Sequence, residues 1–222
     1  MKFMGYRRNN GKVGIRNHVL ILATSVCSNK VAEDISHAVE GSTYINNTYG
    51  CCQLGADFEL TKKTIINTGK NPNVGAVLIV GLGCEGVEPL DIYEAIKETG
   101  KPVEKITIQE ERGTLNAYAK GVAIARKFVQ ELSLEERVEC DISEIILGME
   151  CGGSDTTSGL ASNPTCGVCS DMIIDFGGTS ILSETTEFIG AEHVVAKRGK
   201  NEKVSKEIIE LVKKCEEKAM LL

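Results

Sequence analysis

The sequence predicts a doubly wound α/β fold, with a mostly parallel sheet of about six strands in Rossmann-like or flavodoxin-like layering. Two observations carry that prediction. Runs such as His18–Ser25 (HVLILATS) and Ala76–Gly81 (AVLIVG) are continuously apolar, as expected of strands buried on both faces. Segments of helical length separate successive runs, and parallel pairing requires a crossover of that size.

The elements follow in order. His18–Ser25 is the first strand, and Ser28–Val39 follows with helical spacing at Val31, Ile35, Ala38 and Val39. Ser42–Thr48 (STYINNT) is a second, more polar strand, and Asp57–Asn67 a second helix. Ala76–Gly81 is the third strand, after which Glu88 and Pro89 open a helix with first-turn residues. Val103–Gln109 is a fourth strand, Thr114–Leu132 a long helix and Glu144–Met149 (EIILGM) a fifth strand. Pro164 starts a helix running to about Phe176, and Thr179–Ser183 is a short sixth strand. Helical segments are expected at Glu187–Lys197 and Glu202–Met220. The domain reading is a sheet core over 1–135, with 136–222 continuing the same domain past a charged connection, SLEERVECD.

Bulk composition narrows the function. The chain has 222 residues, 42% hydrophobic and 25% charged, the profile of an ordinary globular protein. A net charge of −6 without a basic stripe speaks against nucleic acid. No run approaches the ~18 apolar residues of a membrane span, and the first residues lack a signal-peptide core, so a cytoplasmic protein is expected.

Nine cysteines are many for such a compartment, where a disulfide framework is not expected. Cys27 follows the first strand, Cys51 and Cys52 the second, Cys84 the third and Cys151 the fifth. In a parallel sheet these loops gather at one edge, where ligands bind. Soft thiolates there suit iron–sulfur clusters or zinc; the plainer account of each is a small buried hydrophobe. Cys166 and Cys169 form a lone Cys-x-x-Cys inside a predicted helix, and Cys140 and Cys215 look incidental.

Three polar stretches add candidate sites. Met149–Pro164 (MECGGSDTTSGLASNP) offers backbone amides and hydroxyls to an anion, or is a flexible surface connection. Ser183–His193 (SETTEFIGAEH) combines Glu184, Glu187, Glu192 and His193, a set suited to general acid–base work or to helix capping. GYRRNNGKVGIRN holds Arg7, Arg8, Lys12 and Arg16, whose forks suit carboxylates; a solvated basic arm is the alternative. Gly81-x-Gly83-x-x-Gly86 also spells a dinucleotide-binding turn. It closes the third strand rather than the first, so NAD binding is a minority reading.

Together GYRRNNGKVGIRN, the Cys27 strand end, YGC at Tyr49–Cys51, NPNVG at Asn71–Gly75, GLGCE at Gly81–Glu85, CGGSD at Cys151–Asp155, SGLASNP at Ser158–Pro164 and SETTEFIGAEH resemble the altronate/galactarate dehydratase family. That family includes the large chain of sulfolactate sulfo-lyase. The resemblance implies an iron-dependent lyase (Fe²⁺ or an iron–sulfur cluster) that removes water from a sugar acid beside its carboxylate, or a carbon–sulfur lyase acting on sulfolactate. It further implies Cys27, Cys51, Cys84 and Cys151 as metal ligands. Ser154, Asp155 and Asn163 would cradle the substrate, and Glu187 or His193 would be the acid–base candidates; Arg16, from its basic stretch, is a further candidate substrate contact. Family members carry a further Gly-rich C-terminal half and often a small N-terminal domain. The expected partners are therefore that half or a partner subunit, such a small domain and further copies of the chain. A non-catalytic ligand-binding module remains the alternative from another class.

Overall fold

The computed structural model describes residues 1–153 and 155–221, and its contacts divide them into two compact units. One runs from Lys2 to Cys140; the other starts at Asp141 and includes Met1. The sequence reading ran 136–222 on as part of the sheet domain, whereas the contacts divide the chain after Cys140.

The first unit opens with β1 (Lys2–Arg7) and β2 (Val13–Gly14), an antiparallel pair with Tyr6 opposite Gly14. Next come β3 (His18–Ala23), α1 (Asn29–Ala38), β4 (Ser42–Ile45), α2 (Gly55–Lys70), β5 (Val74–Gly81), α3 (Pro89–Lys97), β6 (Val103–Thr107), α4 (Thr114–Leu132) and β7 (Val138–Asp141). Strands β3 to β6 form a parallel sheet in the order β4-β3-β5-β6, with Ile21 opposite Leu78 and Ile79 opposite Lys105. A separate small sheet has the order β2-β1-β7.

All eight residues of β5 are buried, because helices cover both faces of its sheet. On one face Val31 and Ile35 of α1 meet Ala117, Ala125 and Phe128 of α4 over Val19, Ile21, Leu78 and Val80. On the other, Ile65 of α2 and Ile92 and Ile96 of α3 pack on Leu20, Leu22, Val77 and Ile79. Alternate residues of each strand therefore feed opposite cores. Each fully buried Leu or Ile contributes about 1.5–3 kcal/mol of transfer free energy.

The second unit holds β8 (Ile146–Met149), a π-helical turn at Ser158–Ser162, α5 (Asn163–Asp175), β9 (Thr179–Leu182), a short turn at Thr185–Phe188, α6 (Glu192–Ala196) and α7 (Glu202–Ala219). Strands β8 and β9 pair in parallel, Ile146 opposite Thr179 and Met149 opposite Leu182. The Asn201 side chain caps α7 by accepting the Val204 amide at 3.0 Å. Ile146, Val168, Met172, Ile174, Phe176, Ile181 and Leu182 are all exposed, and α5 buries none of its residues. A parallel pair and an apolar helix normally have both sides covered.

Two expectations need correction. The principal sheet has four strands rather than about six, because the predicted fifth and sixth strands form but pair with each other in the second unit. The helix expected over Glu187–Lys197 is a short turn followed by α6, broken at Gly190, whose φ of 84° leaves the helical region. No described helix is long and apolar enough to cross a membrane.

Candidate functional site

In the first unit the chain order reverses between the adjacent strands β3 and β5, and the loops leaving their carboxyl ends stand at the switch point where open α/β sheets generally bind ligands. The turn after β5 is closed by its own acid. Glu85 is buried, accepts Thr24 Oγ1 at 2.6 Å and the Leu82 amide at 2.8 Å, and takes the Gly83 amide at 2.5 Å. Burial alone would push its carboxyl up. The hydrogen bonds from Thr24, the Gly83 amide, its own amide and the Leu82 amide outweigh burial and hold it below its ordinary value. Backbone amides that a dinucleotide's phosphates would need are thus taken by an internal carboxylate, which weighs against the NAD reading.

Around this turn stand four thiols. Cys27 lies in the single turn Val26–Ser28 after β3, Cys51 and Cys52 in the loop after β4, and Cys84 between Gly83 and Glu85; all four are exposed. The loop after β4 is pinned. Asn47 Nδ2 donates to the Thr24 carbonyl at 2.8 Å, and the Val26 amide donates to the Tyr49 carbonyl at 3.3 Å. Gly50 has φ 93°, and a Cβ there would stand 2.1 Å from the Thr24 oxygen, so no other residue fits without moving the loop. Cys51 and Cys52 sulfurs are 3.7 Å apart. That hydrogen bond and the charge of Cys52 push the Cys51 thiol up, and Cys27 and Cys84 add in the same direction. Ser25 Oγ, at the same strand end, is buried without a hydrogen-bond partner.

These donors suit iron in kind. Among the described residues, however, no three His, Cys, Asp or Glu side chains converge closely enough to hold one ion. Cys151 belongs to the second unit.

Arg16 stands at the other end of β3, before its first residue, and the six-residue strand spans about 20 Å. Its neighbourhood is structural. Arg8 donates to the carbonyls of Pro72 (2.7 Å) and Arg16 (3.0 Å), to Asn17 Oδ1 (2.8 Å) and to Glu135 (3.4 Å). Nearby, Lys101 donates to the carbonyls of Gly69, Asn71 and Val74 at 2.9–3.0 Å, closing the end of α2. Burial first, and the charge of Arg8 second, lower its pKa to about 8.

The second unit has a cavity of its own, of about 220 Å³, lined by Cys151, Asn163, Cys166, Glu184 and Glu187 among others. Glu184 adopts φ 62°, a left-handed conformation that costs a non-glycine residue about 1–2 kcal/mol, and its carboxylate accepts the Cys151 amide at 2.7 Å. Ser183 donates its hydroxyl to the Met149 carbonyl, holding the two strand-end loops together. Asp155 is engaged within its own loop. It accepts the Thr157 hydroxyl at 2.6 Å and the Ser158 amide at 2.9 Å, and these bonds lower its pKa. His193 is exposed on α6 and is not among the lining residues. Ser154 lies outside the described residues. The structure therefore joins Cys151, Asn163 and Glu187 of the expected set, and adds Glu184 and Cys166.

The two units coincide with two matched family domains. Residues 5–133 match the second domain of D-galactarate dehydratase/altronate hydrolase, and residues 142–221 match the C-terminal domain of D-galactarate/altronate dehydratase. The chain belongs to this family. Among curated relatives it is 44% identical over 204 residues to the (2R)-sulfolactate sulfo-lyase subunit beta of Chromohalobacter salexigens, covering 91% of this chain and 51% of that one. It is 34% identical to the altronate dehydratase of Bacillus subtilis and 32% to the galactarate dehydratase (L-threo-forming) of Escherichia coli. Those matches cover 95% and 94% of this chain and 44% of each relative. The chain thus spans about half the length of the curated relatives it matches.

Proposed function

We propose that the chain is part of a hydro-lyase that removes water from a sugar acid such as altronate or galactarate, giving a 2-keto-3-deoxy acid. The observation that carries the reading is the cavity of the second unit, where Glu184 and Glu187 face the same space as Asn163 and Cys151. Eliminating a β-hydroxyl needs a base for the proton beside the carboxylate and an acid for the departing oxygen. Glu187 lines the cavity and is the group proposed to move the proton, while Glu184, fixed by the Cys151 amide, orients the loop. Asn163 offers amide hydrogen bonds to substrate hydroxyls. His193 is proposed as the second acid–base group.

Iron is the proposed metal, with Cys27, Cys51 and Cys84 as the candidate soft donors of the first unit and Cys151 as a separate candidate in the second. When bound it would supply Lewis-acid stabilisation of enolate-type charge. Its test is iron and sulfide content in protein purified without oxygen, with loss expected in Cys84→Ser and Cys151→Ser. Folded protein with no iron in any preparation overturns this part of the reading.

A sulfo-lyase role is the second reading, supported by the 44% identity to a sulfolactate sulfo-lyase subunit. Both reactions share α-proton removal and differ in the leaving group. The exposed apolar side chains of β8, α5 and β9 support a further proposal: polypeptide equivalent to the rest of the relatives' length covers them, as a partner or as more of the same chain. The test supplies that polypeptide and offers altronate, galactarate and sulfolactate. A keto acid from a sugar acid supports the first reading, and sulfite from sulfolactate supports the second. An assembled complex inert on all three rejects both.

A further inference from the structure

Adjacent side chains of an extended chain point to opposite sides, which keeps neighbouring cysteine sulfurs apart. At Cys51–Cys52 the backbone breaks that rule. Cys52 takes φ 58°, and Gly50 before the pair takes φ 93°. The turn brings both sulfurs to one side, 3.7 Å apart, with both residues exposed. Clamps on either side hold it there: the Tyr49 amide donates to Asn47 Oδ1 at 3.0 Å, and the Gly50 amide to Gln53 Oε1 at 3.1 Å.

We propose that Cys51 and Cys52 are a vicinal dithiol that closes to a disulfide under peroxide, a reversible modification site at the carboxyl edge of the parallel sheet. The chemistry balances with hydrogen peroxide as oxidant. One thiolate attacks a peroxide oxygen, hydroxide leaves, and the sulfur becomes a sulfenic acid. The neighbouring thiolate then attacks that sulfur, forming the S–S bond and expelling hydroxide. The two electrons lost by the pair reduce the peroxide, and the two thiol protons end in two molecules of water. Adjacent Cα atoms are 3.8 Å apart, below the usual 4.4–6.8 Å of bridged cysteines, so the bond is strained and easily reduced. A dithiol reductant, or excess glutathione, reopens it. The pair stands independently of the iron reading; if Cys51 does ligate iron, closure withdraws that ligand.

Tryptic cleavage isolates the pair. Val31–Lys62 contains Cys51 and Cys52 and no other cysteine, whereas Cys27 falls in Asn17–Lys30 and Cys84 in Asn71–Lys97. The full chain is treated with stoichiometric peroxide and a chelator, so that bound metal cannot shield the thiols, then alkylated, digested and weighed. Expected is a Val31–Lys62 peptide lighter by two hydrogens and unalkylated, with thiol titre falling by two from nine and restored by dithiothreitol. A cross-link from this peptide to the Cys27 or Cys84 peptide overturns the proposal, as does sulfinic acid without a bridge. Phenylarsine oxide, which spans paired thiols, gives a second reading on unoxidised protein. One equivalent is expected on the pair, lost in Cys52→Ser. Retention by that variant assigns the arsenic to another pair and also overturns the proposal.

Discussion

Glu184 and Cys151 lie 33 positions apart, and the carboxylate of one accepts the backbone amide of the other at 2.7 Å. The bond stitches the loop after β8 to the loop after β9, the two walls from which Cys151, Glu184 and Glu187 reach the cavity. Glu184 is held in a left-handed conformation to make it. Replacing Glu187 by Gln, which keeps the shape and removes the proton-carrying group, is expected to lower turnover of the assembled lyase by about 10²–10⁴ with a smaller change in KM. Steady-state kinetics check this, and a variant retaining full turnover sinks the assignment.

The Glu85 carboxylate predicts an acid limb in stability. Its pKa is lowered in the folded chain, so the native state prefers the charged form. The contribution is complete above the unfolded value of about 4.3 and disappears as the pH falls through the lowered native value. Glu85→Gln is expected to flatten that limb, and Glu85→Ala to cost about 2–4 kcal/mol by orphaning Thr24 and the turn amides. Urea midpoints between pH 3 and 7 measure both.

Lys101 predicts a second rise at alkaline pH. A folded pKa of about 8, against about 10.4 unfolded, means that the unfolded chain holds more protons between those values. Stability from this group therefore rises as the pH climbs from about 8 to 10. The difference between the native chain and Lys101→Met in urea midpoint should grow over that interval; a constant difference contradicts the lowered value.

Gly50→Ala places a methyl group where the Thr24 carbonyl stands and forces a side chain into a left-handed φ. The expected loss is at least about 1–3 kcal/mol. Because the same loop carries Cys51 and Cys52, their alkylation rates should change while those of Cys166 and Cys169 do not.

What the sequence disclosed followed how locally each feature is encoded. Strands β3 and β5 were legible because burial on both faces writes a continuous apolar run. Strands β8 and β9 were legible as strands, but a strand's partner is not written in its own residues, so their private pairing was lost. Strands β1 and β7 were missed because both leave most of their residues exposed and so write no continuous apolar run; Lys2 pairs with Glu139 across them, and the run around Glu139 read as a charged connection. The acid in the glycine turn was visible at position 85, but its role depends on Thr24, 61 positions earlier. Arg16 drew attention because arginine forks suit carboxylates, yet its stretch serves to anchor backbone at the far end of β3. Cys52 carried a signal in its adjacency to Cys51, although only the backbone turn shows that the sulfurs meet.

The strand order β4-β3-β5-β6 also sets a timetable for synthesis. The central partners β3 and β5 begin at His18 and Val74, 56 residues apart. At ribosomal speeds β3 waits roughly 3–11 s for its neighbour to emerge. Until then only β4 is there to pair with it, the loop-closure cost of the central pairing is unmet, and neither core can be completed. Cys27, Cys51 and Cys52 are therefore synthesised before Cys84 and Glu85 exist to organise the edge they will share.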